Sequence, residues 1–128
     1  MRLDWSPDGY LLTADSPREA HLIVDMLIEA SYTINRLSND EYVARFGRSK
    51  EAIQDFIDNW NVVELSQLLS ARDFELVRNC FSEALDFFSD REYLMRTGWS
   101  KVEAIEVYSG IMALRRKITI ARQWGEES

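Results

Sequence analysis

A stretch of fourteen residues occurs twice in this chain, 51 positions apart, and it constrains the fold more than any other feature. Leu37-Ser38-Asn39-Asp40-Glu41-Tyr42-Val43-Ala44-Arg45-Phe46-Gly47-Arg48-Ser49-Lys50 aligns with Phe88-Ser89-Asp90-Arg91-Glu92-Tyr93-Leu94-Met95-Arg96-Thr97-Gly98-Trp99-Ser100-Lys101. Seven of the fourteen positions are identical, where chance supplies roughly one, so the match reads as an internal repeat. Glu-Ala-Ile follows in both copies, at 51–53 and, with one extra residue, at 103–105.

Each repeated residue has a local task. Ser38 and Ser89 suit helix N-caps, and Glu41 and Glu92 stand three residues on, where a capping box needs its returning carboxylate. Leu37 with Tyr42, and Phe88 with Tyr93, have the spacing of a hydrophobic staple. Gly47 and Gly98 supply the left-handed residue that ends a helix after two turns. Ser49 and Ser100 cap the helix that follows. The repeated unit is therefore a helix, a two-turn helix, a glycine corner and another helix.

The rest of the chain is written in similar signals. Ser16-Pro17-Arg18-Glu19 opens a helix over about 17–37, with Pro at its first position. Ala20, Ile23, Val24, Leu27, Ile28, Ala30, Ile34 and Leu37 cover most of its surface, and His21, Asp25, Glu29, Thr33 and Arg36 form a polar stripe. Helices are expected over 50–60, 62–69 and 71–88. The last, about 101–124, carries Ala104, Val107, Ile111, Leu114, Ile118 and Ala121 at alternating steps of three and four, with Ile105, Tyr108 and Met112 beside them. Two stripes on one helix imply deep burial or packing on a second chain, so this helix is also a candidate homodimer surface. Only the first fourteen residues look β-like, where Ser6-Pro7-Asp8-Gly9 separates two short apolar runs. The expectation is a single all-α domain over 1–128, a compact bundle of about six or seven helices. It consists of a hairpin-like segment (1–14) and two repeated helical units (16–60 and 70–124).

Charge narrows the function classes. Twenty-two acids face fifteen bases, a formal charge of -7, and residues 1–40 hold seven acids against three bases. Such a balance opposes phosphate backbones and anionic membranes, which are bound by Lys and Arg. A lone Cys80 excludes an internal disulfide and a multi-cysteine zinc site. No run of 18 apolar residues occurs and the start has no apolar leader, so a cytoplasmic protein is expected.

The short helix, glycine corner and following helix also resemble a helix-turn-helix, with Tyr42, Phe46, Gly47, Ile53 and Phe56 at its apolar and glycine positions. That resemblance implies a DNA-binding regulator, and the Arg115, Arg116, Lys117, Arg122 cluster would suit one. Against it, Val43 and Leu94 stand where the motif has a small residue. The helix that would read bases also carries Glu51, Asp55 and Asp58, or Glu103 and Glu106 in the second copy.

Catalytic chemistry has little to build on. His21 is the only histidine, Cys80 sits among apolar residues, and no glycine-rich phosphate loop exists. Asp25 with Glu29, and Glu83 with Asp86, have the spacing of helical carboxylate pairs that could hold Mg²⁺. All-α nucleotide pyrophosphohydrolases use such pairs, but their denser acidic motif is missing here. No catalytic residue, cofactor or metal is assigned, and a carboxylate-metal hydrolase is the weakest alternative. Trp99, whose counterpart in the first copy is Arg48, is expected near the surface, as an apolar anchor beside acidic helix faces. The reading is a non-catalytic, acidic protein-binding module of the inhibitor, immunity-protein or adaptor type, with a basic partner. Its candidate contact residues are Glu51, Asp55, Asp58, Trp99, Glu103 and Glu106.

Overall fold

The computed structural model describes the backbone of residues 1–34, 37–61 and 63–127. Its elements run β1 (Arg2–Ser6), β2 (Gly9–Thr13), α1 (Pro17–Ile34), α2 (Asn39–Phe46), α3 (Lys50–Asp58), β3 (Ser66–Leu69), α4 (Ala71–Phe87), α5 (Asp90–Thr97) and α6 (Lys101–Glu127). The expected all-α bundle is corrected by β3. Residues 66–69, read from sequence as part of a helix over 62–69, form a third strand antiparallel to β2, with Tyr10 opposite Leu69 and Thr13 opposite Ser66. Val62, at the start of that expected helix, lies outside the described residues.

The hairpin explains why. Two strands alone are marginal, and β2 would present an unpaired edge while burying Tyr10, Leu12 and Ala14. β3 satisfies that edge. The Ala14 N–H extends the pairing to the Leu65 carbonyl at 2.8 Å, and the Thr13 and Ser66 hydroxyls meet at 2.9 Å. Gly9 marks the closest approach. Its φ of 134° lies outside ordinary L-residue space, and a Cβ there would stand 2.2 Å from the Leu69 carbonyl oxygen. Ser70 then caps α4 at once, accepting from the Asp73 N–H at 3.0 Å.

The core lies between the sheet and the helices. Leu22, Ile23, Met26, Leu27 and Ala30 of α1 pack with Phe74, Leu76, Val77, Cys80, Phe81 and Ala84 of α4. The sheet closes one side, β2 against α4 and β1 against α6. Ile23, Leu27 and Ala30 of the expected apolar face of α1 are thus buried, but Ile28 is exposed and Glu29 of the expected polar stripe is buried; the side chains of Thr33 and Ile34, and all of Arg36, lie outside the described residues. Burial pushes the Cys80 thiol up to about 12, a buried side chain rather than a poised nucleophile.

Both repeated corners form as the residues suggest. Ser38 and Ser89 cap α2 and α5, and Gly47 (φ 70°) and Gly98 (φ 76°) end them in the left-handed region. Tyr42 and Tyr93 are fully buried, the latter with its hydroxyl 3.1 Å from the Met26 sulfur. Beyond the corners the two units diverge. α3 has 9 residues and α6 has 27. The spacing of 51 also continues past the caps without an insertion, because buried Ile53 corresponds to buried Ala104 while Ile105 is exposed. The second Glu-Ala-Ile is therefore a coincidence of letters, and Glu103 takes the helix position of Ala52, not that of Glu51.

Candidate functional site

The candidate residues fall into two groups on separate elements. Glu51, Asp55 and Asp58 are exposed on α3, which packs mainly on α1 and α2, and the Gln54 amide donates to Asp58 at 2.9 Å. Trp99, Glu103 and Glu106 lie at and after the corner leading into α6, which packs on β1, α4 and α5. The second group borders a cavity. A groove of about 490 Å³ runs along the first half of α6, with Trp99, Val107, Ile111 and Leu114 as its apolar lining. Glu19, Glu103 and Glu106 supply its carboxylates, and Met1 and Gly110 complete the wall.

Trp99 corrects the sequence reading. It is only 8% exposed, so it forms part of the groove floor rather than a projecting anchor. The corner holds it firmly: its N–H donates to Thr97 Oγ1 at 3.1 Å, and that hydroxyl donates to the Tyr93 carbonyl at 2.8 Å. The Arg18 guanidinium covers the ring at 3.9 Å from its centroid. Arg18 also pairs with Glu103 at 3.5 Å. The Ser100 hydroxyl donates to Glu103 at 3.0 Å. That hydrogen bond, with Arg18 adding, holds the Glu103 carboxyl below its usual range against some desolvation. Glu19 receives the Asp15 N–H and the Met1 amino group, both at 3.0 Å. Among the described residues, no cation lies within ion-pair distance of Glu106.

Sequence reasoning missed Glu19, Arg18 and Gly110. The first was legible only as a capping residue, and nothing local connects α1 with α6.

Two of the four carboxylates singled out for metal binding are engaged by arginines. Glu29, 8% exposed, pairs with Arg96 of α5 at 2.5 Å, and Glu83 pairs with Arg45 of α2 at 2.9 Å. Arg45 and Arg96 are equivalent positions of the repeat, and each reaches across to the long helix of the other unit. Asp25 is raised by desolvation, with His21 opposing and Glu29 adding. Among the described residues, no three His, Cys, Asp or Glu side chains gather closely enough to hold a metal ion. The basic cluster is likewise divided. Arg115 pairs with Glu75 and Arg122 lies over the Trp5 ring, which leaves Arg116 and Lys117 pointing outward. Also among the described residues, no helix is long and apolar enough to cross a membrane.

Comparison with protein-family models, with curated proteins and with solved structures returns no match.

Proposed function

We propose that this protein is a non-catalytic protein-binding module of the inhibitor, immunity-protein or adaptor kind, and that the groove along α6 takes a basic segment of its partner. The observation that carries this reading is the pairing of an apolar floor, Trp99 with Val107 and Ile111, with the carboxylates of Glu103 and Glu106. A lysine or arginine side chain matches both parts, laying its hydrocarbon stem on the floor and its charge at the rim. About 490 Å³ is room for one or two such side chains. Glu106 lacks a cation from its own chain among the described residues, so an incoming charge displaces no pair within the chain there. The acidic face of α3 adds to the field that draws a basic partner in, without needing to touch it.

The test is a titration of isotope-labelled protein with a Lys/Leu amphipathic helical peptide, followed by NMR. The Trp99 indole and the amides of 103–111 should shift, and Glu103→Lys with Glu106→Lys should abolish the shifts. Shifts confined to Glu51, Asp55 and Asp58, or unchanged binding by the charge-reversed protein, would reject the groove.

A further inference from the structure

A second face of α6 is left bare by its own fold. Val102, Glu106, Ser109, Ala113, Arg116 and Ile120 recur at steps of four, three, four, three and four residues, and all six are exposed. They lie opposite Ala104 and Ile111, which bury the helix against the core. The spacing is that of a coiled-coil seam, and 102–120 spans about 27 Å of helix.

The order of steps is the same read from either end, with its midpoint at position 111. Turned end for end about a two-fold axis beside that position, the seam falls on itself. Val102 then meets Ile120 of a second copy, Glu106 meets Arg116, and Ser109 meets Ala113, each contact occurring twice by symmetry, so that Glu106 serves either this contact or a basic segment in the groove at any one time. We propose that a second copy of this chain docks here, α6 antiparallel to α6.

Three observations converge on that occupant. The apolar residues, Val102 at 68% exposure and Ile120 at 46%, stand at the two ends and would cover one another. The small residues stand at the middle, where two helix axes come closest, about 8 Å at the lower end of ordinary packing. The charges choose the direction: antiparallel pairing places acid on base at both crossings, whereas parallel pairing would set Glu106 on Glu106 and Arg116 on Arg116. Lys117, next to Arg116 and exposed, strengthens the basic end. Trp124, 69% exposed, falls level with the Gly98 corner of the second copy, where Met95 is exposed as well.

The measurement is molar mass by light scattering and sedimentation over a concentration series. The mass should rise from the 15.0 kDa of one chain towards twice that value. Glu106→Arg alone and Arg116→Glu alone should each remain monomeric, because each sets like charges together at both crossings. Mixing those two variants should restore association as a heterodimer, since acid again faces base twice. A chain carrying both changes should associate with itself. Circular dichroism confirms that each variant is folded. Val102→Asp, which lies off the groove, should also yield monomers and keeps the inference testable if a charge reversal disturbs the helix. A parent chain that stays monomeric throughout would overturn the proposal. So would single variants that associate like the parent, or a mixture that fails to associate.

Discussion

Replacing Gly9 by alanine tests the strand that the sequence did not announce. Two separate costs arise at this position. An L-residue at φ 134° is strained, by about 1–3 kcal/mol for such sparsely populated conformations. The new Cβ would also stand 2.2 Å from the Leu69 carbonyl oxygen and 2.9 Å from its carbon, so β2 and β3 must separate by about an ångström at their best-packed end. Overpacking of that kind costs about 1–3 kcal/mol, giving about 2–6 kcal/mol in all against a domain stability of about 5–15 kcal/mol. Gly47→Ala is the matched control. It carries positive φ too, at 70°, but nothing lies within 4 Å of its Cβ position, so only the left-handed strain of about 1 kcal/mol remains.

Urea unfolding of the two variants measures the difference directly, provided the slopes agree with the parent. Gly9→Ala should lose at least twice the stability that Gly47→Ala loses. Amide exchange of Tyr10–Thr13 should quicken in the first variant and stay unchanged in the second. Equal losses, with exchange of β2 unaltered, would refute the close approach of β3 and return residues 66–69 to an element that does not pair with the hairpin.

Further outcomes follow from the caps and the buried acids. Ser38→Ala and Ser89→Ala should each cost about 1 kcal/mol in urea midpoints, since each hydroxyl accepts a first-turn N–H at 3.3 and 3.2 Å respectively. Stability should also fall in alkali. Folding raises the Cys80 thiol from its ordinary 9.0 to about 12 and the Tyr42 hydroxyl from 10.0 to about 12, so the unfolded chain releases these protons first. Their contribution is complete below pH 9 and is lost as pH rises towards 12; Cys80→Ala should remove the earlier part of that decline in denaturant midpoints. In the native protein at neutral pH, Cys80 should react with a thiol reagent only as fast as the chain unfolds, because its side chain is fully buried.

What the residues reveal in advance tracks how far away their partners lie. The capping serines and the two corner glycines act within four positions, and the structure forms them where the letters stand, with the full capping box at Ser38 and Glu41 and Glu92 accepting instead from the Ser89 hydroxyl. Burial of most of α1 was legible for the same reason, a periodicity contained within one helix, with Ile28 and Glu29 as its exceptions. β3 was not, because the four residues Ser66-Gln67-Leu68-Leu69 are too short for either periodicity to show and are settled by β2, more than fifty positions earlier. Glu29 and Glu83 looked like free carboxylates because the arginines that hold them are 67 and 38 positions away. Trp99 looked exposed because its cover, Arg18, belongs to the opposite end of the chain. The groove was half legible: Trp99, Glu103 and Glu106 were singled out for their chemistry, while Glu19 enters only through the docking of α1 beside α6.

The two corners show how one backbone device can serve different ends. At the first, Arg48 turns in and pairs with Asp73 of α4 at 2.6 Å, with its side chain largely buried. At the second, Trp99 occupies the equivalent position, and Arg18 of α1 lies over its ring. That ion pair leaves a hollow of about 520 Å³ beside it, walled by Arg48, Arg72 and Asp73 with Val43 and Ala52, so charged groups rather than an apolar floor line the first corner. An indole with a guanidinium on one face leaves apolar surface beside it, and that surface becomes the groove floor. The register adds the carboxylate: Glu103 takes the place of Ala52, so only the second corner has an acid at the third helical position, where it both completes the cap and faces the cavity. Glu106, at the place of Asp55, then stands one turn further along the same helix. The apolar and acidic character of the second groove therefore rests on two differences within the repeat, Trp99 for Arg48 and Glu103 for Ala52. Trp99→Arg with Glu103→Ala should remove the apolar floor and one of its carboxylates, abolishing peptide binding while the fold is retained.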